Sequence, residues 1–87
     1  MDDIRREFES KCRKIFEDFA DSQGLIFEET YDSFYETAGW VIRFANKSTG
    51  KHWEHIFLMY PNSIFPDDNE IPSLCWTYIE EAIKFLY

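Results

Sequence analysis

The stretch from Gly39 to Tyr60, GWVIRFANKSTGKHWEHIFLMY, constrains the fold more than any other part of the chain, because its pattern is that of a β-hairpin. Trp40 to Asn46 and Lys51 to Tyr60 are rich in β-branched and aromatic residues. Between them lies Lys47-Ser48-Thr49-Gly50, whose glycine can take the left-handed conformation that closes a short loop. A four-residue loop sets Asn46 opposite Lys51. Counting outward places Phe44 against Trp53, Ile42 against His55 and Trp40 against Phe57 on one face. The other face receives Arg43 opposite Glu54 and Val41 opposite Ile56. An aromatic ladder on one side and an opposite-charge pair on the other is matching that stabilises a sheet, and a slip of one residue destroys both. The aromatic face is therefore expected in the core, with Arg43, Glu54 and His52 on the solvated side.

The rest of the chain supplies the elements that such a hairpin needs. Asp2 or Asp3 can cap a first helix, and Ile4, Phe8, Cys12, Ile15, Phe16 and Phe19 recur at spacings of three and four, an amphipathic pattern reaching about Ser22. Its polar side offers i,i+4 pairs of Glu7 with Lys11, Glu9 with Arg13, Arg13 with Glu17 and Lys14 with Asp18, and is read as solvated and nearly neutral. Gly24 suits a left-handed helix end. Leu25 to Thr30 is β-compatible, whereas Glu28 to Thr37, EETYDSFYET, keeps no clean period and fits either a longer strand or a wide loop. After the hairpin, PNSIFP and the acidic run Asp67-Asp68-Asn69-Glu70 form an irregular connection. Pro72 suits the first turn of a last helix that Ser73 or a preceding residue can cap, with Leu74, Tyr78, Ile79, Ala82, Ile83 and Leu86 as its apolar stripe. The expected fold is α+β, a single domain of order α-β-β-β-α, with a three-stranded antiparallel meander and both helices packed on one face.

At 87 residues the chain has apolar surface for one small core, to which nine Phe, five Tyr and three Trp bring large rings. The two cysteines, Cys12 and Cys75, fall at apolar positions of the helices and read as buried free thiols. No run has the length of a membrane span, and the N-terminus lacks an apolar secretory segment, so a cytoplasmic location is expected. The formal charge of −8 opposes direct contact with phosphate backbones. The charge is also regional. Residues 15–42 hold seven acids and no Lys or Arg, and residues 52–83 hold six acids and again no Lys or Arg.

The element order resembles that of the double-stranded RNA-binding domain, which reads phosphates with basic residues at the start of the last helix and with a loop between the first two strands. Here the helix start, Asp67 to Leu74, carries acids and no Lys or Arg, so the resemblance concerns the order of elements and implies no RNA binding. Catalytic and metal chemistry find little footing. His52 and His55, three apart on a strand, point to opposite faces and cannot chelate one metal together. Asp67 to Glu70 is contiguous and glycine-free, unlike an EF-hand loop. Neither cysteine has a neighbouring histidine motif, no serine sits in a nucleophile elbow, and three glycines make no phosphate-binding loop. No enzyme, cofactor or metal is expected.

What remains is surface. Glu28, Glu29, Asp32 and Glu36 interleave with Tyr31, Phe34 and Tyr35, and Asp67, Asp68 and Glu70 follow Phe65. Aromatic anchors within a charged rim are the make-up of a protein interface, although the same rings can turn inward to the core. In size and charge the chain is similar to phage anti-CRISPR and anti-restriction proteins and to the immunity proteins of nuclease toxins. That likeness implies an inhibitor whose carboxylates take the place of phosphates on the basic groove of a nuclease or CRISPR effector. The alternative is a non-inhibitory adaptor docking on a basic partner. The chain is expected to be a monomer, or a homodimer through an exposed sheet edge or its aromatics.

Overall fold

The computed structural model describes residues 2–34, 37–59 and 64–87. They form α1 (Asp2–Gln23), β1 (Ile26–Phe34), β2 (Thr37–Asn46), β3 (Lys51–Met59) and α2 (Ile71–Leu86). The strands make one antiparallel sheet in the order β1-β2-β3. The hairpin register is the expected one, with Phe44 opposite Trp53, Ile42 opposite His55, Trp40 opposite Phe57 and Arg43 opposite Glu54. Of the two readings of EETYDSFYET, the longer strand is correct. β1 continues past Thr30 and pairs with β2 from Ile26–Ala45 to Phe34–Thr37.

Because side chains alternate along a strand, β2 sends Trp40, Ile42 and Phe44 to one face, and both helices cover that face. All three are fully buried at 0 % exposure. From α1, Phe16 packs edge-on against Phe44 at 5.7 Å and lies within 5.9 Å of Phe27, while Phe19 meets Phe44 at 5.5 Å. Along the sheet, Trp40 stacks on Phe57 at 5.1 Å and Phe44 on Trp53 at 6.1 Å. α2 adds Cys75, Ile79, Ala82 and Leu86 to the same core. Cys12 and Cys75 are free and buried, and the neighbouring Cys75 thiol together with burial pushes the Cys12 thiol up, away from thiolate formation.

Two glycines end elements through positive φ. Gly24 (φ 67°) terminates α1 with the two bonds of a Schellman motif, Leu25 N–H to the Ala20 carbonyl at 2.9 Å and Gly24 N–H to that of Asp21 at 3.4 Å. Leu25 is buried as that motif requires. Gly50 (φ 75°) closes the hairpin by donating to the Asn46 carbonyl at 2.8 Å. The same turn finishes α2, since Asn46 Nδ2 and Thr49 Oγ1 both donate to the Leu86 carbonyl, at 3.0 and 3.2 Å. At its other end α2 starts earlier than a Ser73 cap allows. Ile71 and Pro72 already form the first turn, the cap position is Glu70, and no side chain caps it.

Truncating the central ring should be expensive. Trp40→Ala is expected to lower unfolding free energy by about 3–5 kcal/mol in urea titrations, the range for large aromatic deletions from a core. A loss below about 1 kcal/mol, the scale of a surface change, would contradict this assignment of the buried face.

Candidate functional site

The register sorts the sequence-derived residues onto two faces with different fates. On the helix-covered face, Glu29 lies opposite Ile42 and Tyr31 opposite Trp40, so both point toward α1. Arg13 of α1 grips the Glu29 carboxylate with two nitrogens, its Nε to Oε2 and its Nη2 to Oε1. Trp40 Nε1 donates to the same carboxylate at 3.1 Å, and the Arg13 guanidinium sits 5.9 Å from the Trp40 ring. The Tyr31 hydroxyl donates to Glu9 Oε1 at 2.6 Å, although Tyr31 as a residue is 53 % exposed. Arg5 approaches the other Glu9 oxygen at 3.3 Å, and Glu9 itself is buried.

This cluster corrects the reading of the α1 polar face as wholly solvated. The i,i+4 partners Glu7–Lys11 and Lys14–Asp18 do form, at 3.1 and 3.7 Å. Glu9 and Arg13, however, turn to β1. The physical reason is the alternation of β1, which puts Glu29 opposite Ile42 and Tyr31 opposite Trp40 on the face that α1 covers. A bidentate charged pair then outcompetes an exposed helical one worth a few tenths of a kcal/mol. Partial burial and the bond to Glu9 push the Tyr31 phenol up to about 12. The Arg13 guanidinium holds the Glu29 carboxyl below its ordinary 4.5.

The acidic connection is also partly committed. Asp68 accepts from Lys11 Nζ at 2.6 Å, which ties the connection to α1, and Phe65 packs against Phe8 with ring centres 5.1 Å apart. Asp67 and Glu70 are exposed. Tyr35, Glu36 and the Phe34 side chain lie outside the described residues.

The opposite face of the sheet has no helix over it. Across β1, β2 and β3 its rows read Ile26–Ala45–His52, Glu28–Arg43–Glu54, Thr30–Val41–Ile56 and Asp32–Gly39–Leu58. Arg43 is flanked by an acid on each side, with Nη1 3.8 Å from Glu54 Oε1. Glu28 and Asp32 make no ion pair among the described residues, and both are exposed. Beside them Ile56 and Leu58 keep 42 % and 46 % of their surface in solvent, next to a buried Val41. A shallow cleft of about 230 Å³ runs between Glu28, Thr30, Asp32, Val41, Arg43 and Glu54. It is below the roughly 300–1,000 Å³ of small-molecule pockets, a scale that suits one side chain of a partner.

The acids available for contact on this face are thus Glu28 and Asp32, and the apolar element is aliphatic: Val41, Ile56 and Leu58. The signal for the aliphatics was present, since strand alternation alone puts Ile56 away from the aromatic ladder. His52 is exposed on this face, whereas His55 faces inward 4.0 Å from the Tyr78 ring, where burial lowers its pKa. Among the described residues, no group of three His, Cys, Asp or Glu side chains is placed to hold a metal ion, and no helix is long and apolar enough to cross a membrane.

Compared with family models, curated proteins and solved structures, the chain matches none of them.

The Glu29 pair carries a pH signature. Its lowered carboxyl contributes stability that is fully present above the ordinary 4.5 and is lost as pH falls through the folded value. Wild type minus Glu29→Gln stability, from urea midpoints measured between neutral pH and about pH 3, should therefore be positive at neutral pH and shrink below about 4.5. A difference that stays constant with pH would contradict the pairing.

Proposed function

We propose that this chain is an acidic protein-binding domain that docks on a basic, nucleic-acid-binding surface of another protein and blocks it, as an inhibitor of a nuclease or CRISPR effector does. The observation that carries this reading is the open sheet face, where the carboxylates of Glu28 and Asp32, without an ion pair among the described residues, border exposed Ile56 and Leu58, and the central cation Arg43 is paired with Glu54. An apolar centre with a charged border is the anatomy of a protein interface. Carboxylates there meet the Lys and Arg side chains that otherwise neutralise phosphates.

The overall charge of −8 acts at longer range. It steers encounter with a positive groove and repels nucleic acid itself, which makes the chain a competitor for that groove and a poor ligand for its substrate. Contact with Val41, Ile56 and Leu58 then holds the complex once water is displaced, a contribution that salt screens little. Nothing in this mechanism requires a catalytic group or a cofactor.

The test begins with the protein retained by immobilised chain from its native cells. In a gel shift, the chain should displace nucleic acid from that protein, with potency falling as salt shortens the screening length from about 10 Å at 0.1 M toward about 3 Å at 1 M. The double variant Glu28→Gln, Asp32→Asn should inhibit about tenfold less, equivalent to about 1.4 kcal/mol, while its melting temperature stays close to wild type. A retained protein that keeps its nucleic acid in the presence of the chain would overturn inhibition and leave a docking role. Unchanged potency of the double variant would remove the open face from the interface.

A further inference from the structure

A second surface lies around the rim of the sheet from the open face. β3 pairs with β2 alone among the described residues, so its outer edge presents unpaired backbone N–H and C=O groups. Beside that edge runs an apolar groove of about 370 Å³, lined by residues 55–58 of β3, by Ile64, Phe65 and Pro66, and by Phe8 and Tyr78 from the two helices. Ile64 stands at its border with 96 % of its surface exposed.

The groove's charge surroundings identify what fits. No Lys or Arg lines the groove, and its residues Ile64, Phe65 and Pro66 share an adjoining hollow with the exposed Asp67 and Glu70. Lys11, which reaches Phe65 and Pro66 from α1, is already held by Glu7 and Asp68. Burial lowers the pKa of His55, so it brings no positive charge at neutral pH. A second copy of the chain is a poor occupant, because each copy carries a charge of −8.

We propose that the free edge of β3 and the adjoining apolar groove receive an extended segment of the basic partner, which adds to the sheet as a fourth strand. Main-chain hydrogen bonds to β3 supply affinity, and alternate side chains of the segment supply specificity. Apolar residues enter the groove against Phe57, Phe65 and Tyr78, and Lys or Arg residues face the surrounding acids. The inference rests on the reading of a basic partner given above, and it deepens that reading by naming the form in which part of the partner binds.

Three fluorescein-labelled peptides test it, each of nine residues to match β3. One alternates Lys and Val, one alternates Glu and Val, and the third is the Lys-Val peptide N-methylated at every second residue. Anisotropy titrations should show the Lys-Val peptide binding, with both others weaker by about tenfold or more. Bound peptide should slow amide hydrogen exchange in β3 and leave α1 unchanged. The surface variant Ile64→Ser, its fold checked by circular dichroism, should weaken binding about fivefold or more, roughly 1 kcal/mol. Glu28→Gln, Asp32→Asn should leave peptide binding intact while losing inhibition, which separates this site from the open face. Equal binding of the N-methylated or the acidic peptide, no binding of any peptide, or exchange in β3 that the peptide leaves unslowed would each overturn the proposal. Self-association of the chain through β3, seen as concentration-dependent sedimentation, would replace the partner with a second copy and overturn it too.

Discussion

The rest of this structure depends on the side-chain alternation of β2. Among the described residues it is the only strand hydrogen-bonded on both sides, so its phase sets the phase of the other two. With Trp40, Ile42 and Phe44 fully buried, Val41 and Arg43 must face away, and a shift of one residue would drive the Arg43 guanidinium into an aromatic core. The helices have one apolar face to cover, and they cover it. What they leave uncovered, the row Glu28–Arg43–Glu54 and the aliphatics beside it, follows from the same alternation.

Where the aromatic core ends at β1, a polar cluster takes over. Burying a carboxylate such as Glu9 costs free energy unless hydrogen bonds and charge offset it; Tyr31 bonds Oε1 and Arg5 brings a charge within 3.3 Å of Oε2, an oxygen that itself accepts no hydrogen bond among the described residues. Glu29 is held by Arg13 and Trp40, while the single Tyr31 hydroxyl proton goes to Glu9. Such a cluster orients more than it stabilises, because a directional bidentate pair fixes how α1 lies on the sheet in a way that interchangeable rings do not. The clasp between Lys11 and Asp68 does the same for the connection into α2. The acids left exposed for a partner include Glu28 and Asp32 on the opposite face and Asp67 and Glu70 ahead of α2, besides Glu17 and Asp21 on α1.

Much of the fold was legible in the residues because its determinants are local. Loop length and cross-strand matching define the hairpin register, and Gly24 and Gly50 occupy the two positions where positive φ is needed. The division of the acids was not legible. Arg13 and Glu29 are sixteen positions apart and Lys11 and Asp68 fifty-seven, so these pairs depend on how helix and sheet are packed. Read from sequence, Arg13 has nearer partners in Glu9 and Glu17, and only the packing of α1 on β1 supplies the better one, Glu29. Tyr31 shows why a single label misleads, since the residue is half in solvent while its hydroxyl serves the interior. Phe65 likewise rests on Phe8 instead of standing free as an anchor.

An acidic chain with carboxylates all round could adhere to a basic partner in many orientations. The proposed inhibition uses the open face of the sheet, where the Glu28 and Asp32 carboxylates border exposed Ile56 and Leu58. Chemical-shift mapping of isotope-labelled chain, titrated with the basic protein it captures, tests that most directly. The predicted perturbations centre on the outward residues of all three strands, Glu28, Thr30 and Asp32, Val41 and Arg43, and Glu54, Ile56 and Leu58. Perturbations centred instead on the exposed acids of α1, Glu17, Asp18 and Asp21, would contradict it.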